Sequence, residues 1–336
     1  MFLEILMFLK ILNRKMTFWL LLIAIFLVLL MVVFNSVPWA EKKTLFYPSK
    51  KSHWSPDIPH DNVYIDVKYT DSSHNVYHHR PSQKYCGSYI HGWYFNNFPG
   101  HKTVMFCHGN SGNITHRQYI VNICQKFELN LFIFDYRGFG RSSGRPTKRN
   151  LKKDGEAAYK FLTGYAGVNS DNIIIWGESL GGFVATWTAS KYPCRSLILL
   201  STFSGLDDAI TNYFDPGVKQ SLAYGYSSLV SLRYDIMPSR QYIRKVRCPV
   251  AIAHSKTDDI IPYKCAKILY DNVMHNSKVL IDIKGGHSSP VITHEDLNKI
   301  FMFCDISLPV YDQVCDVDGM LKDIETVAER YHNFMD

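Results

Sequence analysis

The chain has 336 residues, 46% hydrophobic and 14% aromatic, enough apolar mass to bury one sizeable core and too much for a disordered chain. Its formal charge of +7 comes from 37 Lys and Arg against 30 Asp and Glu; the basic residues are scattered, which excludes the dense run that binds nucleic acid and leaves at most a mild attraction to anionic membrane surfaces. Cys86, Cys107, Cys124, Cys194, Cys248, Cys265, Cys304 and Cys315 lie far apart, without a CxxC or a Cys/His pair at zinc-ligand spacing, so most are expected to be buried free thiols.

The first element is an apolar run, FWLLLIAIFLVLLMVVF, over residues 18–34. As a helix it reaches roughly 26 Å, close to the thickness of a hydrocarbon core, and it is expected to be a transmembrane anchor within an N-terminal segment of 1–40, with Trp19 and Trp39 at the interfaces. A cleaved signal peptide is the competing reading, since Lys10, Arg14 and Lys15 precede the run. The run is longer than a usual signal core, and the stretch from Asn35 to Ala40 is a poor cleavage site. Lysines on both sides (Lys42, Lys43, Lys50 and Lys51 follow it) leave the orientation open.

After a polar connector over 41–60, short apolar runs alternate with longer amphipathic ones, the pattern of an α/β fold with a mostly parallel sheet flanked by helices. Strands are predicted over 63–67, 88–95, 103–107, 131–134, 173–176, 197–200, 250–253 and 279–283, and helices over 116–127, 151–165, 180–191, 262–273 and 293–304. The catalytic domain is thus expected over 61–304, with 305–336 as a final helix or tail. An aromatic stretch over about 205–240 falls between two strands and is read as a possible cap or as a plain long connection.

The chemistry is carried by loops at the carboxyl ends of these strands. Gly177, Glu178, Ser179, Leu180, Gly181 and Gly182 form a G-x-S-x-G directly after an apolar strand and before a helix. That setting holds a nucleophilic serine in a strained turn, with flanking glycines because a Cβ there would collide with the neighbouring strand and helix. Ser179 is therefore the expected nucleophile. Its base is expected to be His287, in the loop Lys284, Gly285, Gly286, His287, Ser288; His294 falls at the start of a helix instead. The third member, an acid to orient the imidazole, should lie between them in sequence. Asp258 and Asp259 follow the strand at 250–253, and spacing alone does not choose between them; Asp207 and Asp208 are the runners-up. The loop His108, Gly109, Asn110, Ser111, Gly112 after the strand at 103–107 suits an oxyanion hole, with the backbone N–H groups of Asn110 and Leu180 as its donors. His108 is expected to pack the loop. The sequon Asn113, Ile114, Thr115 lies in the same loop, where a glycan would block the site, so it says nothing of a lumenal domain.

These motifs, with Asp135, Tyr136, Arg137, Gly138, Phe139, Gly140, Arg141 and Ser142, resemble those of the membrane-anchored α/β-hydrolase-domain serine hydrolases, the group that includes protein depalmitoylases. The resemblance covers roughly residues 85–303. It implies the α/β-hydrolase fold, a triad of Ser179, Asp258 and His287, and a structural role for Asp135; the family's acid stands four positions before a proline, which is Asp258 before Pro262. The segment Leu45, Phe46, Tyr47, Pro48 after the anchor is similar to that of single-pass members. Two departures stand out: no cysteine precedes Cys86, where depalmitoylating relatives carry a lipidated cluster, and Ser288, Ser289 and Pro290 replace the Asn-Asp that often follows the histidine. The expected function is hydrolysis of an ester or thioester through an acyl-enzyme, on a lipid or acylated-protein substrate, with no metal or organic cofactor required. A serine peptidase on the same fold and a silent membrane-tethered binding protein are the alternatives.

Overall fold

The computed structural model describes residues 45–67, 76–81, 87–210 and 237–306, together with Trp19, Leu22 and Ile23. The chain divides into two units, residues 1–47 and 48–336. In the first unit Trp19, Leu22 and Ile23 are helical and exposed; the rest of the predicted anchor at 18–34 lies outside the described residues. Among the described residues no helix is long and apolar enough to cross a membrane.

The second unit is built on a sheet whose strands are β1 (Asp61–Asp66), β2 (Val76–Tyr77), β3 (Tyr89–Phe95), β4 (Thr103–Cys107), β5 (Asn130–Asp135), β6 (Ile173–Glu178), β7 (Ser196–Leu200), β8 (Val250–Ser255), β9 (Lys278–Gly285) and β10 (Pro290–Val291). Their spatial order is β10-β9-β8-β7-β6-β4-β5-β3-β1-β2. From β5 through β9 every pairing is parallel, whereas β3, β1 and β2 at one end and β10 at the other pair antiparallel. The parallel strands read as continuous apolar runs because both faces are covered: Val104, Met105, Phe106, Leu131, Ile133, Ile174, Ile175, Trp176 and Ile198 are fully buried.

Helices cover the two faces: α1 (Gln118–Lys126), α2 (Lys148–Lys160), α3 (Leu180–Lys191), α4 (Leu206–Ile210), α5 (Ser239–Tyr242), α6 (Lys264–Asn272) and α7 (His294–Phe303). α3 follows β6 directly and is buried nearly all round, as befits a helix at the centre of the fold. The helix expected over 151–165 starts earlier, where Thr147 caps the Asn150 amide, and its last turn, Phe161–Tyr165, widens to a π-helix. The two-residue strands β2 and β10 were not foreseen, being too short to show an alternation.

The connector expected over 41–60 is, from Pro48 on, part of the second unit. Trp54 meets Trp93 edge to face, Ile58 packs against the core, and His60 rests on Trp93 and Phe95. Apolar side chains among its polar residues and prolines pack it, partly exposed, against the antiparallel end of the sheet. Of the possible cap at 205–240, residues 211–236 lie outside the described set, as does the tail beyond residue 306. The base of that insertion is clasped: Arg240 on α5 donates to both carboxylate oxygens of Asp207 and to Asp208 on α4, and Ser204 Oγ donates to Asp208.

Candidate active site

Because β4, β6, β8 and β9 run parallel, their carboxyl ends deliver four loops to one edge of the sheet. Ser179 is the single residue between β6 and α3, at φ +50° and ψ −117°, a left-handed conformation that costs a non-glycine residue about 1–3 kcal/mol. The surroundings hold it there: Ser179 N–H donates to Leu200 O on β7 at 3.0 Å, and Thr202 Oγ1 donates to Ser179 O at 2.6 Å. The neighbouring Gly181 permits the close approach, since a Cβ built on it would lie 1.8 Å from the carbonyl oxygen of Cys107 at the end of β4. The collision expected from the sequence is with the β4 backbone for Gly181 and with α3 for Gly177, whose Cβ would lie 2.6 Å from Gly181 O.

His287 faces the serine. Its Nε2 lies 3.0 Å from Ser179 Oγ, and its Nδ1 lies 2.9 Å from Asp258 Oδ2. A carboxylate accepts only, so Nδ1 carries the proton and Nε2 is left as the acceptor for the serine hydroxyl. The ring is mostly buried and the Asp258 side chain wholly so. Gly285 shapes the loop that presents it: φ is +88°, and a Cβ there would meet Ser289 O at 2.2 Å.

Asp258 is held on both oxygens. Oδ1 accepts the backbone N–H groups of Ile260 at 3.0 Å and Ile261 at 2.7 Å; Oδ2 takes His287 and stands 3.4 Å from His254 Nε2, which itself donates to Ile261 O at 2.8 Å. Burial works to raise the Asp258 pKa, but the hydrogen bonds from His254 and His287 outweigh it and hold the carboxyl well below the usual range. Asp259 does something else: its Oδ1 accepts the backbone N–H of His287 at 2.9 Å. The two adjacent carboxylates therefore divide the histidine between them, one on its ring and one on its main chain. Asp207 and Asp208, the other acids weighed, are both engaged by Arg240.

The loop after β4 lies over the nucleophile. A Cβ on Gly109 would come 3.6 Å from Ser179 Cβ, which sets the loop that carries Asn110 against the serine, and Leu180 opens α3 directly after it. His108 is fully buried; its Nδ1 donates to Gly109 O at 2.7 Å, Tyr136 donates to its carbonyl at 2.8 Å, and burial pushes its pKa down to about 4. It is a neutral packing residue. Asp135 ties the same loop by accepting Ile114 N–H at 2.9 Å. Asn113 is 1% exposed and spends its side-chain amide on Ser49 O at 3.0 Å and Lys51 O at 2.8 Å. The folded chain has no room for a glycan there, and a glycan would cost both of these bonds to residues 49–51.

Four contacts escaped the sequence reading: Thr202 on the Ser179 carbonyl, His254 on Asp258, Asp259 on the His287 main chain, and Tyr119 donating to Glu178 beside the nucleophile. The i,i+4 spacing of His254 and Asp258 across a strand end is a visible signal in hindsight; the other three depend on pairings distant in sequence.

A profile of the family described as alpha/beta hydrolase fold matches residues 102–228. An uncharacterised protein of Mycobacterium tuberculosis is 30% identical over 206 residues, 61% of this chain and 70% of that protein. Alpha/beta hydrolase domain-containing protein 17C of Xenopus tropicalis is 30% identical over 214 residues, 63% of this chain and 64% of its own length. Protein bem46 of Schizosaccharomyces pombe is 31% identical over 198 residues, 58% of this chain and 62% of its own length. Among solved structures, an esterase from Pyrococcus furiosus superimposes with a TM-score of 0.58 at 18% identity, covering 77% of this chain and 96% of that one. At that identity the likeness speaks for the fold alone.

Proposed function

Since the chain belongs to the α/β-hydrolase family, we propose that it is a membrane-anchored serine hydrolase that cleaves an ester or thioester through an acyl-enzyme on Ser179. One observation carries this reading: the unbroken hydrogen-bonded chain from Ser179 Oγ through His287 to Asp258, at 3.0 and 2.9 Å.

In the proposed reaction His287 Nε2 takes the Ser179 proton as Oγ attacks the acyl carbonyl carbon. The charge that develops on the carbonyl oxygen is met by the backbone N–H groups of Asn110 and Leu180, with the N-terminus of α3 behind them. His287 then protonates the departing alcohol or thiol. Water, deprotonated by the same nitrogen, attacks the acyl-enzyme, and the acid leaves with Ser179 restored. Asp258 stays ionised throughout and stabilises the imidazolium. These steps use only this chain's own groups.

The apolar run at 18–34 supports a membrane anchor, and an anchored hydrolase meets lipids and acylated proteins first. The substrate is accordingly proposed to be a long-chain acyl ester or thioester. The test is to treat the full chain in detergent, and a Ser179→Ala variant, with a fluorophosphonate probe and with p-nitrophenyl esters of increasing chain length. Labelling and turnover in the wild type that vanish in the variant support the reading. A folded wild type that neither labels nor turns over any ester would overturn it in favour of a binding protein. Partition of the full chain, but not of one lacking residues 1–40, into the membrane fraction after carbonate washing checks the anchor.

A further inference from the structure

β7 and β8 lie side by side and parallel, with Val250 opposite Leu197, and the residue two positions before each strand is a cysteine. Cys194 Sγ and Cys248 Sγ are 3.4 Å apart. Both are half-buried and unbridged, whereas Cys107, Cys124, Cys265 and Cys304 are free and buried. Two thiols at contact distance on strands that the sheet already holds together can be joined with little movement of the main chain. Their partial exposure lets a small oxidant reach them.

We propose that Cys194 and Cys248 are a redox-modification site, closed to an intrachain disulfide by exchange with a low-molecular-weight disulfide of the glutathione class. The thiolate of one cysteine attacks a sulfur of the oxidant, forming a mixed disulfide and releasing one glutathione thiolate. The second cysteine, deprotonated, attacks the protein sulfur of that mixed disulfide, forming the Cys194–Cys248 bond and releasing the second glutathione. The two protein thiols lose two electrons and two protons, and one oxidant disulfide becomes two thiols.

The pair is a cross-link and not an exchange catalyst. Contact with Cys248 and burial push the Cys194 thiol up, the reverse of the activated thiol a redox enzyme needs. Its position decides what it holds. The loop it closes contains the whole connection from β7 to β8, including the Arg240 clasp and the insertion at 205–240. The far ends of the same strands carry Leu200, which accepts the Ser179 amide, and the turn into Asp258. Oxidation therefore fastens the scaffold at the edge of the sheet remote from the chemistry, and restricts the unfolded chain across some 50 residues.

The test does not depend on the activity. The full chain in detergent is incubated with oxidised glutathione or with dithiothreitol, free thiols are alkylated, and unreduced peptides are read by mass spectrometry beside a melting curve. The expected result is a peptide joining Cys194 to Cys248, absent from both Cys194→Ser and Cys248→Ser, and a melting temperature about 5–10 °C above the reduced protein. Two glutathionylated cysteines without a cross-link, a bridge from either to Cys304, or equal melting temperatures with the cross-link formed would overturn the proposal.

Discussion

Asp258 and Asp259 are chemically identical neighbours with different tasks, and substitution separates them. On the proposed mechanism Asp258→Asn removes the acceptor that fixes the imidazole tautomer, and turnover is expected to fall about 10³–10⁴-fold. Asp259→Asn keeps an oxygen for the His287 main chain and should cost less than about tenfold, while Asp259→Ala, which frees the loop, should cost more. Steady-state kinetics on one p-nitrophenyl ester ranks the three; equal losses in Asp258→Asn and Asp259→Asn would remove the division of labour argued from the geometry. Asn113 belongs at this scale too. Asn113→Gln lengthens a buried side chain whose amide holds Ser49 and Lys51, and a loss of about 1–3 kcal/mol in chemical denaturation is expected.

At the scale of elements, the turn between β6 and α3 is set by how closely the helix approaches β4. Gly181→Ala would put a methyl group into the Cys107 carbonyl, so α3 must shift away and take Ser179 and the Leu180 amide with it. Labelling by the fluorophosphonate should drop at least tenfold, and unfolding should become easier by about 1–3 kcal/mol. A variant that labels at the wild-type rate would show the approach to be slack. α7 offers a milder comparison. Thr293 and Asp296 cap its first turn reciprocally, and Thr293→Ala is expected to cost about 1 kcal/mol while leaving labelling intact.

Across the whole molecule, the histidine buried under the site links stability to acid. His108 titrates at about 4 in the fold against an ordinary 6.5. Between those values the unfolded chain takes up a proton that the folded chain refuses. The contribution of this residue is therefore full above pH 6.5 and is lost as the pH falls toward 4, by up to about 3 kcal/mol. Asp258, held below the usual carboxylate range, adds its own loss only in stronger acid. His116, also pushed down by burial to about 4, adds to the loss from His108, while Asp154, pushed up by burial to about 6, opposes it. The His108 share is therefore read as a difference: the melting temperature from pH 7 to pH 4 should fall more in the wild type than in His108→Gln, and parallel profiles would contradict the burial argument.

Much of this was legible in the chain of letters because it is local. Apolar runs such as 103–107 and 173–176 announce strands covered on both faces, G-x-S-x-G between a strand and a helix announces a strained serine, and Gly285 and Gly286 before His287 announce a loop able to turn inward. Such signals need only neighbours in sequence. Other features needed residues far apart to meet. Spacing could not choose Asp258 over Asp259, since both follow the same strand and only the return of the loop after β9 shows which one faces Nδ1. His254 reaches Asp258 because the chain doubles back at Ile261, Asn113 is buried because residues 49–51 lie across it, and Trp54 and Ile58 hold a polar connector against the core. Cys194 and Cys248, 54 positions apart, touch only because β7 and β8 are adjacent in the sheet. Periodicity and composition dictate which segments become strands and helices; strand order and register dictate which side chains meet, and those depend on the free energy of the whole packed sheet.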